Sequence, residues 1–176
     1  MTVEELSTLV LEALDRHGWV EVDGLGVFSK NPLGQIQFHG GNAPRVFIAY
    51  AIEDLEAAER LYFDLRWLGF SPWMDRHKLL PGQNWPRRIE EAIAGCDYFV
   101  ACFSTNSVRK RGGFQTEVRF ALDCAKKMPL DDVFLVPLRL NECPMPARIQ
   151  RETQYLDMFP DWNTGLARLH AIIHRK

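Results

Sequence analysis

Three stretches of the chain carry the residue types from which a site could be built. The first is FSTNSVRKRGGFQTEVRFALDCA, where Ser104 ends an apolar run, a basic glycine loop follows, and Glu117 stands in the predicted first turn of a helix. A lone carboxylate can stabilise developing positive charge by Coulomb attraction, although an acid in a first helical turn is also simply favourable with the helix dipole. The second is FIAYAIED, with Tyr50 and then Glu53 and Asp54 at the end of another apolar run. Tyr50 can stack on a ligand or cap its strand, and Asp54 is more ordinary as a helix cap. The third is MDRHKLLPGQNW, a long turn-rich loop opened by Asp75, in which Pro81-Gly82 makes a turn and Asn84 can cap the next helix. Leu79 and Leu80, apolar within that loop, favour contact with a partner over contact with a substrate.

Other chemistries lack their signatures. His170 and His174 are spaced i, i+4, but no acidic residue is in register with them, so a solvated face is expected and a metal site is not. No GxGxxG follows the first apolar run, no GxxxxGK[ST] occurs, and no GxSxG elbow is present. The four cysteines, Cys96, Cys102, Cys124 and Cys143, form no CxxC pair and read as free thiols in apolar surroundings.

The elements that must position these residues follow from periodicity. Residues 46–50 form a short buried-type strand, and 53–68 place Leu55, Ala58, Leu61, Tyr62, Leu65 and Leu68 on one helical face. Strands are further predicted at 70–74, 97–103, 133–138 and 155–157, with helices at about 85–95, 114–126 and 161–174. Strands alternating with helices imply right-handed crossovers and a parallel sheet, and continuous apolar strands imply that both faces are covered. Ligands bind such sheets beyond the carboxyl ends of the strands, where all three stretches lie. Ahead of this, Val3, Leu6, Val10, Leu11 and Leu14 form one helix closed by His17-Gly18. WVEVDGLGVFS then alternates around Asp23-Gly24, with 35–38 as a possible return strand and 40–44 as the linker.

Composition bounds the rest. A hydrophobic share of 47% and a charged share of 25% are those of a globular protein of one full core plus a small extension. The net charge of −2 gives no global basic field for nucleic acid or an anionic membrane. Residues 1–43 hold six acids and two bases, and residues 44–176 seventeen acids and nineteen bases, so the larger part is slightly basic and suits a phosphate-bearing ligand. No run reaches the roughly 18 apolar residues of a membrane helix, and MTVEELSTLV is acidic where a secretory signal is basic. A cytoplasmic location is expected.

The segments RVFIAYAIED, DRHKLLPGQNW, EEAIAGCDYFVACFSTNSV, RGGFQTEVRFALD and VPLRLNECPMPARI resemble, in that order, the bacterial branch of the TIR (Toll/interleukin-1 receptor) domain family, and QYLDMFPDWNTGLARLHAII fits the same branch. The resemblance covers essentially all of residues 44–176. It implies an α/β, flavodoxin-like five-stranded parallel sheet in the order 2-1-3-4-5 with helices on both faces, and residues 76–85 as the BB loop. Residues 1–43 would be a small helix–hairpin extension.

Many TIR domains cleave NAD+ between nicotinamide and ribose with a glutamate at the start of the third helix, and Glu117 in GFQTEV occupies that place. The resemblance further implies substrate contacts from Tyr50, Ala51, Asp75, Lys78, Gly82, Trp85, Ser104 and Phe114. It implies NAD+ as substrate, no cofactor or metal, self-association through TIR–TIR contacts that include the 76–85 loop, and a setting in bacterial antiphage defence. Family members commonly carry an aromatic residue four positions before the glutamate. Here that position is Gly113, with Phe114 next to it.

A lone carboxylate suits this reaction. Glycoside hydrolases generally need a second carboxyl group to protonate the leaving oxygen. The pyridinium of NAD+ departs as neutral nicotinamide, so only the oxocarbenium-like ribose has to be stabilised. The alternative is a non-catalytic TIR scaffold that signals through homotypic contacts, which the Gly113 departure favours. A phosphorylated receiver domain shares the topology, but Tyr50-Ala51, Ser104 and Arg139 stand where it needs acids, an acceptor aspartate and a lysine. HGWVEVDGLGVFS resembles a stretch of the HU/IHF DNA-bending family. Its acidic balance argues against DNA binding, so residues 1–43 are read as an interaction or assembly module.

Overall fold

The structure is a computed structural model that describes all residues except 1, 23, 31–33, 41–42, 79–81, 83 and 174–176; for Lys78 only the backbone is described. The three linker and turn positions Asp23, Gly41 and Asn42, the Leu79-Leu80 pair and His174 thus lie outside the described residues.

The apolar runs become strands β4 (Arg45–Ala49), β5 (Ser71–Trp73), β6 (Tyr98–Phe103), β7 (Leu135–Arg139) and β8 (Leu156–Asp157) of one parallel sheet, ordered β5-β4-β6-β7-β8. Counted within this sheet alone the order is 2-1-3-4-5, as expected. Every residue of β6, the central strand, is buried. Register places Phe47 opposite both Trp73 and Phe99, and the three rings stack at 4.7 and 5.2 Å. β8 pairs only with Leu138 and Arg139, so Pro137 sits on a stretch of β7 open on one side, where a missing N–H is tolerated.

Helices α2 (Leu55–Trp67) and α7 (Trp162–Ile173) cover one face through Ala58, Leu61, Leu65, Leu169 and Ile173. Helices α4 (Trp85–Gly95), α5 (Gly113–Ala125) and α6 (Ala147–Glu152) cover the other through Ile93, Val118, Ala121, Leu122 and Ile149. The connection after β5 begins with the single turn α3 (Asp75–Lys78). No helix among the described residues is long and apolar enough to cross a membrane.

The N-terminal segment is more than a hairpin. Helix α1 (Val3–His17) starts on a Thr2–Glu5 capping box and ends on Gly18 in the left-handed conformation. Strands β1 (Trp19–Val22), β2 (Gly26–Lys30) and β3 (Ile36–Gly40) then form a three-stranded antiparallel sheet, because the chain after β2 returns through 36–40 and pairs with all of it.

This small sheet docks on α2 through one buried cation. Arg66, 2% exposed, lays its guanidinium 3.3 Å from the Trp19 ring. It donates to Glu21 Oε2 at 3.2 Å and to Tyr62 Oη at 3.3 Å. The approach is close enough that a Cβ on Gly69, at the end of α2, would overlap the His39 ring. Removing one member of such a buried group leaves a cavity and an unpaired partner, costing about 2–4 kcal/mol. Arg66→Ala is therefore expected to lower the thermal midpoint by roughly 5–15 °C. It should also speed proteolysis within residues 1–40 more than within the large sheet. An unchanged midpoint would mean that the small sheet contributes nothing to the fold.

Candidate active site

Beyond the carboxyl ends of β4, β5 and β6, the segments that follow them meet the start of α5 around a cavity of about 220 Å³. Five of the residues expected from the sequence line it: Tyr50, Ala51, Asp75, Phe114 and Glu117. Tyr50 and Ala51 follow β4 directly, and Asp75 opens α3. Tyr50 donates its hydroxyl to Asp75 Oδ1 at 2.6 Å, and the same oxygen accepts the Arg76 backbone N–H at 2.7 Å. Burial first, and then the bond to Asp75, push the Tyr50 hydroxyl above its ordinary range, so it stays a neutral donor.

Glu117 lies one residue deeper in its helix than expected. Helix α5 begins at Gly113 because Gly112, at φ +146°, ends the loop in a conformation that only glycine adopts readily, and Glu117 therefore sits in the second turn. No acid occupies the first turn, so the helix-dipole explanation for Glu117 fails. Instead the carboxyl points into the cavity, four residues on from Gly113. A Cβ added at Gly113 would lie 3.9 Å from Glu117 Oε1 with no other heavy atom within 4 Å among the described residues. Glycine at 113 thus serves no backbone need and leaves room beside the carboxylate. Phe114 does not fill that room: its ring is packed edge-on against Phe103 at 5.3 Å and 83° and is 8% exposed.

Burial, with the nearby Asp75 charge second, pushes the Glu117 carboxyl up to about 7. A carboxylate recessed in a cavity loses part of its hydration, and no hydrogen bond from the described residues replaces it, so the neutral form gains.

Of the remaining expected residues, Ser104, Gly82 and Trp85 lie elsewhere. Ser104 is fully buried; its hydroxyl donates to Asp54 Oδ2 at 2.5 Å and accepts from the Asn106 and Ser107 backbone at 3.0 and 3.2 Å. It shapes the 104–108 turn and does not reach the cavity. Asp54, expected as a helix cap, makes no cap hydrogen bond and instead binds Ser104 and, at 2.8 Å, the Asn106 amide. Gly82 is exposed at a turn with φ +87°, and Trp85, 57% exposed, opens α4 outside the cavity wall. Asn84 caps α4 as expected, accepting from the Arg87 N–H at 3.3 Å. The Lys78 side chain lies outside the described residues.

Five further wall residues were not named as site residues from the sequence: Ile52, Ser107, Gly112, Lys110 and Arg111. The RKRGG run was the available signal for the last two. Cys96, Cys102 and Cys143 are buried free thiols and Cys124 is partly buried; burial raises Cys96 to about 12 and Cys102 further. A second depression, of about 350 Å³, lies against Arg45, Trp73 and Arg88. Arg45 opens β4, so this depression is at the amino end of the sheet, where doubly wound folds do not place ligands.

The Glu117 carboxyl holds its proton more tightly in the folded chain than at its ordinary value of 4.5. Stability is therefore lost as pH rises from about 4.5 to about 7. Glu117→Gln should match the wild type below this window. Above it the variant should be more stable by the order of 1–2 kcal/mol, which melting curves at pH 4 and pH 8 would read as a few degrees at the higher pH alone.

Comparison with solved structures finds the same fold in three settings. The TIR domain of the Toll-related receptor TRR-2 from Hydra magnipapillata matches with TM-score 0.57 and 21% identity, over 72% of this chain and 97% of that one. A metazoan TIR-STING receptor from C. gigas matches with TM-score 0.59 and 19% identity, over 72% of this chain but only 38% of the receptor. The Clostridium botulinum CMP N-glycosidase BcmB matches with TM-score 0.51 and 18% identity, over 72% and 98%. A search of curated proteins finds no match. The family model described as the TIR domain matches residues 46–170, from the first strand of the large sheet to the last helix, and this chain belongs to the TIR domain family.

Proposed function

We propose that this domain cleaves the N-glycosidic bond of NAD+, releasing nicotinamide, with Glu117 as the catalytic carboxylate. The observation that carries the reading is the placement of the partly buried Glu117 carboxyl, beside Asp75 and Tyr50, on the wall of the cavity beyond the carboxyl ends of β4 and β5. The fold is shared with a protein described as a CMP N-glycosidase, which supports N-glycoside chemistry as the class.

The chemistry follows from charge. As the bond from C1′ to the pyridinium nitrogen breaks, both its electrons go to nitrogen and nicotinamide leaves neutral. The ribose is left as an oxocarbenium-like cation. Ionised Glu117 stabilises that cation by Coulomb attraction, and Asp75 adds to the same negative potential. Tyr50, kept neutral, holds Asp75 in place. Water then adds to C1′ and gives up a proton, yielding ADP-ribose; attack by another atom of the nucleotide yields a cyclic isomer instead. The antiphage setting and NAD+ as sole small-molecule substrate belong to this proposal, as does the absence of a cofactor.

The first test is chromatography of NAD+ incubated with concentrated protein. Glu117→Gln should lower nicotinamide release by a factor of at least roughly 10², equal to about 3 kcal/mol of barrier. Equal consumption by both proteins sinks the assignment. No release from any preparation favours the scaffold reading, for which the open space at Gly113 is the supporting observation.

Ionisation gives a second test. Only ionised Glu117 acts, so kcat/KM should rise with pH through about 7, the value for the unliganded protein. A bound pyridinium stabilises the anion, and the rising limb of kcat should lie at lower pH. A flat profile of kcat/KM between pH 5 and 8 contradicts the role.

Self-association completes the proposal. Trp85 stands exposed outside the cavity, and with Lys78 and Gly82 it belongs to the 76–85 loop, which we assign to contacts with a neighbouring copy. Specific activity should then climb with protein concentration in parallel with light scattering; a strictly constant specific activity over a hundredfold range would argue against a shared site.

A further inference from the structure

Glu117 and Asp75 are not the only charges on the cavity wall. Lys110 and Arg111, from the loop before α5, line the same space. Their surroundings differ. Lys110 is held by Glu53, across from it on the loop after β4, with both side chains nearly half exposed. Arg111 is exposed and makes no ion pair or hydrogen bond with the described residues. One cavity therefore presents carboxylates from Asp75 and α5, and cations from the loop ahead of α5.

Such a wall matches a ligand of the opposite polarity, cationic at one end and anionic at the other. A bare cation leaves Arg111 unused, and a bare anion is repelled by Glu117 and Asp75. A nucleotide with a pyridinium on C1′ and phosphate on C5′ has the required layout. The two cations also suit phosphate in kind, since arginine offers a planar fork of donors and lysine a compact charge. Resting on the N-glycoside reading above, we propose that Lys110 and Arg111 are the phosphate subsite of the Glu117 cavity, and that Glu53 competes with the phosphate for Lys110.

The competition is uneven. An exposed ion pair such as Lys110–Glu53 is weak. A phosphate of higher charge, which Arg111 contacts at the same time, displaces Glu53 readily. The site then selects phosphorylated nucleotides over the corresponding nucleosides, and Glu53 sets the strength of that selection.

The test compares nicotinamide mononucleotide with nicotinamide riboside, which differ by one phosphate, in equilibrium binding to the full chain carrying Glu117→Gln to prevent turnover. The mononucleotide should bind roughly tenfold tighter or more, with an advantage that shrinks as salt is added. Lys110→Ala with Arg111→Ala should reduce the advantage to about twofold or less, and Arg111→Glu should abolish it. Glu53→Gln should enlarge it. A role in folding alone would change the melting temperature and leave the ratio of the two affinities as it was. Equal binding of the two ligands, an advantage that survives the double substitution, or no binding of either overturns the subsite. Nicotinamide release by the wild-type chain is measured alongside. If release is absent while the ratio behaves as stated, the glycohydrolase reading falls and the phosphate subsite stands.

Discussion

A parallel sheet covered by helices on both faces admits almost no polar side chain along its strands. In this chain β6 is buried from end to end, and the stacked rings of Trp73, Phe47 and Phe99 run across three strands without interruption. Polar groups can therefore gather only where strands stop, and at the carboxyl ends each strand hands the chain to a loop that faces the same space. Tyr50, Asp75 and the loop leading to Glu117 converge for that reason. The chemistry of the site is a consequence of the dryness of the sheet beneath it.

The same dryness makes Glu117 a poor structural residue. Its carboxyl sits in a cavity where burial and the Asp75 charge both favour the proton, and no hydrogen bond from the described residues offsets this. A chain selected only for stability would place glutamine or an apolar residue there. Burial with a like charge nearby is the arrangement that shifts acids toward neutral pH, and it occurs most often where the acid is used. Ser104 shows the contrasting case. It is equally close to a strand end, but Asp54, Asn106 and Ser107 satisfy it completely, and it holds a turn together.

That contrast also explains what the sequence could and could not reveal. The five strands and the covering of both sheet faces were legible because hydrophobic periodicity is local and repeated, whereas the strand order came from the resemblance to the TIR family. Tyr50, Asp75 and Glu117 were legible as strand-end and helix-start residues within ordered motifs. Ser104 was misplaced because the residue that claims its hydroxyl lies fifty positions earlier, and spacing carries no trace of such a pairing. Glu117 was placed one residue too early, in the first turn, because the helix boundary depends on one glycine φ angle, at Gly112. The docking of the small sheet was invisible for a related reason. Arg66 lies on a helix face otherwise read as apolar, and its partners Trp19 and Glu21 come from a segment that looked separate. Local pattern yields elements; contacts between distant segments decide what each polar residue is for.

The near-neutral carboxyl and the basic loop bear on the order of events in the cavity. Burial and the Asp75 charge raise the Glu117 carboxyl to about 7, so the unliganded site retains its proton far more readily than an ordinary glutamate, which limits the repulsion between it and Asp75. A ligand that brings positive charge to Glu117 draws off the remaining proton as it enters, so the full negative potential exists only when there is a cation to receive it. The unliganded chain is spared the cost of two adjacent ionised carboxylates, and on the proposed reading the full field arises only when the ligand is bound. Under the proposed reaction the charge of the ligand itself would thus ready the site, with Tyr50, neutral because of burial and its bond to Asp75, holding that carboxylate in place.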